Sequence, residues 1–144
     1  MATNSIDDIF GISGTALNAQ LIRLNATASN LANAGTTAAT EKEAYRGKRT
    51  IFKTLMDEEM IHAGAPYIGG VKVDKIIDDT KPVPKYYDPN NPLANADGYV
   101  FQSNVNEVEE MVDMMAASRS YQNNVEVINT AKELMMRSLD ILKA

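Results

Sequence analysis

The chain has 144 residues, a length that fits one domain, and 44% of them are apolar, yet Trp is absent and Phe and Tyr number only 3 and 6. A net charge of -5 argues against duplex nucleic acid, whose phosphates need a basic face, and against an anionic membrane surface. With no cysteine, disulfides and thiolate metal sites are excluded.

The first residues, Met1 to Asp8, have neither a basic start nor an apolar stretch, so no Sec-type signal peptide is expected. Apolar runs stop at about four residues, as at Met114 to Ala117, whereas a membrane helix needs roughly twenty. Direct membrane insertion is therefore not expected, and on these grounds alone the default is a soluble cytoplasmic chain. The apolar share is largely Ala and Met, which makes a thin, adaptable core that gains from assembly.

From about Ser5 to Ala34 there is no proline. Phe10, Gly14, Leu17, Leu21, Leu24, Ala28 and Leu31 alternate in steps of four and three, the seam of a coiled coil. Gly11 and Gly14 weaken the first turns, and Gly35 sits where a left-handed C′ glycine belongs. The spacing predicts one helix of roughly 30 residues within a segment 1–35. Residues 36–103 hold all five prolines (Pro66, Pro82, Pro84, Pro89 and Pro92) and most of the turn chemistry. Strands are predicted at Val71 to Ile76, after Gly69-Gly70, and at Tyr99 to Phe101, after Asp97-Gly98. Thr50 to His62 is ambiguous, β-rich and then helix-like.

Segment 104–144 has neither Pro nor Gly. A seam runs Met114, Ala117, Tyr121, Asn124, Ile128, Ala131, Met135, Ser138, Leu142, and a neighbouring stripe adds Val125, Val127, Leu134 and Ile141. Asn104 or Asn106 is placed to cap the start, and Glu107, Glu109 and Glu110 suit the positive end of the helix dipole. The expected helix is roughly 38 residues, beyond the usual globular length. The fold class is mainly α: long N- and C-terminal helices paired as an antiparallel coiled-coil hairpin, with a small β-containing central insert.

Chemistry is sparse. The one histidine, His62, stands in Glu59-Met60-Ile61-His62, a Glu-x-x-His spacing that a di-iron bundle needs twice; a charged, solvated turn accounts for it better. Gly47-Lys48 is followed by Arg49 and lacks the upstream glycine of a phosphate loop. Gly11-Ile12-Ser13-Gly14 lies in a helical pattern and follows no strand. The carboxylates read as an acidic helix face. The cluster Met111, Met114, Met115, Met135 and Met136 reads as core or subunit contact. Asn25, Asn30, Asn33, Asn123, Asn124 and Asn129 are costly in helices; a seam Asn fixes register and partner choice, and solvent exposure is the plain alternative. No catalytic constellation, metal site or cofactor is expected.

The stretch Ala28-Ser29-Asn30-Leu31-Ala32-Asn33-Ala34-Gly35-Thr36 resembles the N-terminal signature of flagellar axial proteins, and Tyr45-Arg46 is similar to its continuation in rod proteins. Asn104 to Val112 and Ala117 to Asn124 look like the C-terminal helix motif of the same proteins. Gly69 to Val73 and Tyr87 to Ala94, with Gly98-Tyr99-Val100, resemble the proximal-rod members of the flagellar basal-body rod family. Two departures stand out: Ser103 occupies a position where the family pattern has proline, and Thr37 to Glu43 is polar.

The resemblance implies a structural subunit, not an enzyme, that joins other rod subunits and copies of itself in a helical drive shaft spanning the periplasm. It implies passage through the flagellar type III export apparatus without a cleaved signal. The paired terminal helices would form the inner coiled-coil layer. Assembly contacts are expected at Leu17, Leu24, Ser29, Asn30, Leu31 and Asn33 on the first helix and at Met111, Arg119, Tyr121, Asn124 and Ile128 on the second. Leu24 and Ile128 belong to the pairing seam. The competing expectation is a soluble helical adaptor or export chaperone that binds a client through its helical faces.

Overall fold

A computed structural model describes residues 2–55 and 69–143. The elements, in order, are α1 (Ala2–Asn33), β1 (Thr37–Ala38), β2 (Lys48–Leu55), β3 (Gly70–Asp78), β4 (Lys85–Tyr87), β5 (Tyr99–Gln102) and α2 (Glu107–Lys143). The fold is thus two long helices with a small β insert. His62, with its Glu-x-x-His spacing, Pro66 and the helix-like half of Thr50 to His62 lie outside the described residues, as does the side chain of Leu142.

The helix ends follow local chemistry. Asn106 caps α2: its Oδ1 accepts from the backbone N–H of Val108 at 3.0 Å and of Glu109 at 3.3 Å. Glu107, Glu109 and Glu110 fill the first turn. At the other terminus, α1 stops without a left-handed glycine. Gly35 does not adopt positive φ, unlike Gly69, Gly70 and Gly98. The last turn is closed instead by Thr36, whose N–H (3.2 Å) and hydroxyl (2.7 Å) both donate to the Asn33 carbonyl. A side chain does what the expected C′ glycine would have done.

Two compact units divide the chain. The first comprises Met1–Ile22, Ile51–Lys75 and Ala117–Ala144; the second comprises Arg23–Thr50 and Ile76–Ala116. In the first unit, Ser13, Ala19, Ala117 and Ala131 are buried. The Val71 N–H donates to the Thr15 hydroxyl at 3.2 Å and ties the start of β3 to α1. An apolar groove of about 320 Å³ lies between Ile9 of α1 and Val127, Ala131 and Leu134 of α2.

In the second unit, a three-stranded antiparallel sheet runs in the order β1-β5-β4. Thr37 faces Gln102, and Lys85, Tyr86 and Tyr87 face Phe101, Val100 and Tyr99. Buried here are Ala26, Ala34, Ala44 and Val100 among apolar residues, and Thr27, Asn30, Ser103 and Glu110 among polar ones. β2 and β3 pair in a separate two-stranded sheet.

The α2 seam is matched by burial: Met114, Ala117, Tyr121, Asn124, Ile128, Ala131 and Met135 are half-buried or buried, while Ser138 is exposed. The neighbouring stripe Val125, Val127, Leu134 and Ile141 faces outward instead. On α1 the expected seam is covered in part: Phe10, Leu17, Leu24 and Leu31 are half-buried, and the fully buried residues lie beside it. Ser13, Ala19, Ala26, Thr27, Asn30 and Ala34 are buried, whereas Gly14, Leu21 and Ala28 of the expected seam are exposed. Small side chains let the backbone approach its neighbours, and the larger Leu side chains are left at the margins.

At Gly98 a side chain would meet both backbone strain and a neighbour. Its φ is +78°, and a Cβ there would stand 2.9 Å from Cε2 of Tyr87. Tyr87 packs edge-on against Tyr99, with ring centroids 5.3 Å apart. Gly98→Ala is therefore expected to destabilise the protein by about 1–3 kcal/mol, through left-handed backbone strain and displacement of Tyr87, as read by urea denaturation.

Candidate functional site

A buried hydrogen-bond cluster surrounds Asn30, near the last turn of α1. Asn30 is 1% exposed. Its Nδ2 donates to the Lys48 carbonyl at 2.9 Å and to Oε2 of Glu110 at 2.9 Å. Its Oδ1 accepts from the Lys48 N–H at 2.6 Å and from the Tyr45 hydroxyl at 3.0 Å. All four hydrogen-bonding positions of the carboxamide are filled. The amide takes both the N–H and the C=O of Lys48, as a neighbouring strand would, where β2 begins.

Glu110, 2% exposed, carries this cluster into α2. Its second oxygen, Oε1, lies 3.4 Å from the Arg49 guanidinium. Arg49 also contacts Asp79 at 3.2 Å and Asp113 at 3.5 Å, and Asp113 pairs with Arg23 of α1 at 3.0 Å. Two arginines and three carboxylates thus alternate around Asn30. Burying the Glu110 charge is tolerable because both of its oxygens have partners. Removing one partner leaves the others buried and unmatched, which is the costly case.

A second polar joint flanks this one. Asn104 Oδ1 accepts from the Gly47 N–H at 2.8 Å, and its Nδ2 donates to the carbonyls of Asp79 (3.3 Å) and Lys81 (2.9 Å). The Asp79 N–H donates to the Gly47 carbonyl at 2.6 Å. Ser103 donates its N–H to the Thr36 carbonyl at 3.0 Å, a bond that the proline expected here from the resemblance could not make, and so extends the β1–β5 ladder by one rung.

The expected contact residues fall in both units. In the second unit, Asn30 is interior and Leu24, Leu31 and Asn33 are half-buried, while Ser29 and Met111 are exposed. The Ser29 hydroxyl lies 3.1 Å from the Tyr45 hydroxyl, and Asn33 Nδ2 donates to the Ser29 carbonyl at 2.8 Å. In the first unit, Arg119 is exposed, and Leu17, Tyr121, Asn124 and Ile128 are half-buried. Asn124 Nδ2 donates to the Ser120 carbonyl at 2.9 Å.

Sequence reasoning missed Glu110, Arg49, Asp79, Asp113 and Arg23. The acidic start of α2 reads as a solvated face, but Glu110 points inward. The available signal was the i, i+3 pair Glu110 and Asp113 beside the buried seam residue Ala117.

The residues of this cluster fall within matches to known proteins. A family model described as Flagella basal body rod protein matches residues 11–40, the stretch that carries Asn30. A second, described as Flagellar basal body rod FlgEFG protein C-terminal, matches residues 96–141, the stretch that carries Glu110. The chain is 46% identical over 134 residues to the flagellar basal-body rod protein FlgC of Salmonella typhimurium, covering 93% of this chain and 96% of that one. The chain belongs to the FlgC family of flagellar basal-body rod proteins. FlgC of Escherichia coli O157:H7 is also 46% identical over 134 residues, and that of Bacillus subtilis is 38% identical over 143 residues, with 92% of this chain and 95% of that one covered. The chain is accordingly a structural subunit of the basal-body rod and not an enzyme. Among the described residues, no helix is long and apolar enough to cross a membrane.

One titration follows from the site. The Asp79 carboxylate accepts the Lys81 N–H at 2.9 Å and pairs with Arg49, which together hold its pKa below the ordinary 3.8 against the opposing effect of burial. A lowered folded-state pKa contributes stability above pH 3.8 and loses it as pH falls through the folded value. Asp79→Asn is expected to lower stability at pH 7 and to flatten the acid limb below about pH 4, measured as midpoint of urea unfolding against pH.

Proposed function

We propose that this rod subunit serves in the proximal rod, co-assembling helically with copies of itself and other rod subunits into the shaft that transmits torque. Its terminal helices pair as an antiparallel coiled-coil hairpin. The observation that carries this reading is the order of the polar contacts in the second unit: Arg23 meets Asp113 and Asn30 meets Glu110, so partners advance along α1 as they recede along α2. Export through the flagellar type III apparatus, without a cleaved signal peptide, belongs to the same proposal.

A subunit in an open helical assembly needs different faces for different neighbours. Val108, Met111, Val112 and Met115 offer one. They recur at i, i+3, i+4 and i+7 on α2 and are 47–69% exposed. A stripe of that width costs solvation in a free chain and is regained when a neighbour covers it. Ser29 in the second unit and Arg119 in the first are exposed as well, while Leu17, Leu24, Tyr121, Asn124 and Ile128 are half-buried.

Quantitative mass spectrometry of purified, detergent-washed basal bodies tests the proposal, with a fixed near-integer ratio to other rod proteins expected. Loss of the chain on washing, with the rod intact, would restore the adaptor reading. Two substitutions separate the faces. Met111→Lys should leave the melting temperature of the free chain within about 2 °C while sharply reducing its incorporation into rods. Leu24→Asp or Ile128→Asp, on the pairing seam, should abolish rod assembly, and normal swimming with either would count against the hairpin.

A further inference from the structure

Asn30 is more than a buried polar residue with its bonds satisfied. Its carboxamide takes the N–H and the C=O of the same residue, Lys48, at 2.6 Å and 2.9 Å. That reciprocal pair is what one strand residue offers another across an antiparallel ladder. The remaining hydrogen of Nδ2 goes to Glu110, and the remaining lone pair of Oδ1 takes the Tyr45 hydroxyl. One side chain therefore joins the end of α1, the residue that opens β2 and the first turns of α2. These segments lie 18 and 80 residues apart in sequence.

We propose that Asn30 is a cooperative latch: a surrogate strand residue whose closure makes the last turns of α1, the start of β2 and the first turns of α2 form together or not at all. The latch has an orientation requirement that fixes its chemistry. Only a group that donates on one side and accepts on the other satisfies Lys48, and the donor side must also face the Glu110 carboxylate. Aspartate at position 30 is isosteric but lacks the donors. It would set one carboxylate oxygen against the Lys48 carbonyl and against Glu110, and both contacts would become repulsive. Glu110→Gln restores a donor at that contact: its amide nitrogen replaces Oε2 and points at residue 30, while its oxygen remains toward Arg49. Arg49 keeps its pairings with Asp79 and Asp113 in that variant.

The test is a double-mutant cycle on the full chain, read by urea denaturation and by hydrogen exchange at the Lys48 amide. Asn30→Asp should lower the folded-to-unfolded ratio strongly, Glu110→Gln alone only modestly, and the combined Asn30→Asp/Glu110→Gln variant should recover at least about fivefold of the loss. In the parent chain the Lys48 amide should exchange as slowly as helix amides near Asn30 and Met114. In Asn30→Ala it should exchange at least about tenfold faster than in the parent. Additive effects in the cycle, or a Lys48 amide equally protected in Asn30→Ala, would overturn the latch. If Asn30→Asp does not fold at all, recovery of a cooperative transition by Glu110→Gln supports it and failure to recover overturns it. None of these readouts depends on rod assembly, so the latch and the rod function stand or fall separately.

Discussion

Burying the Glu110 carboxylate in a chain with so thin an apolar interior is the constraint on which the second unit turns. The buried apolar residues there are Ala26, Ala34, Ala44 and Val100, small side chains that each remove little area from water. Dispersion and transfer free energy alone give such a core weak directionality. Polar groups supply it. Glu110 tolerates burial only with Asn30 on one oxygen and Arg49 near the other, and Arg49 in turn is placed by Asp79 and Asp113. At 36% exposure Arg49 keeps contact with water, which lowers the desolvation cost of the whole set and screens its attraction. Specificity of arrangement, more than net stabilisation, is what such a network contributes.

The two family models each cover one side of this contact. One covers the end of α1 and the other covers α2, and their residues meet at Asn30 and Glu110. Tyr45, which follows the N-terminal signature at a distance, closes onto Asn30 as well. The signature residues thus include one that serves the chain's own interior beside others, such as Ser29, that remain at the surface. A structural protein that meets several neighbours needs both kinds, since a contact face is only as well defined as the backbone beneath it.

Much of the helical architecture was legible. Absence of Pro and Gly from Asn104 onward, an Asn at the cap and three-four spacing gave α2 with its covered side, because those signals are local. α1 was found with part of its covered side, Phe10, Leu17, Leu24 and Leu31, but its fully buried residues, Ser13, Ala19, Ala26, Thr27, Asn30 and Ala34, were not, since periodicity weights Leu over small and polar side chains. β3 and β5 were visible as alternation after glycine. β1, the opening of β2, and β4 were not: two and three residues carry no period, and their pairing partners lie far along the chain. The role of Asn30 was out of reach for the same reason, because no local pattern announces a bond to a residue 80 positions away.

The sheet edges carry a final consequence. β1 and β4, the outer strands of the three-stranded sheet, are two and three residues long, and β4 follows directly on Pro82 and Pro84. Proline offers no N–H to an incoming strand, and edges this short give a foreign chain little to template on. A structural subunit that assembles with others carries a standing hazard of associating through the wrong surface. Here the route to cross-β aggregation is blunted at the edges of the three-stranded sheet, where a backbone ladder that any sequence could join finds too few rungs.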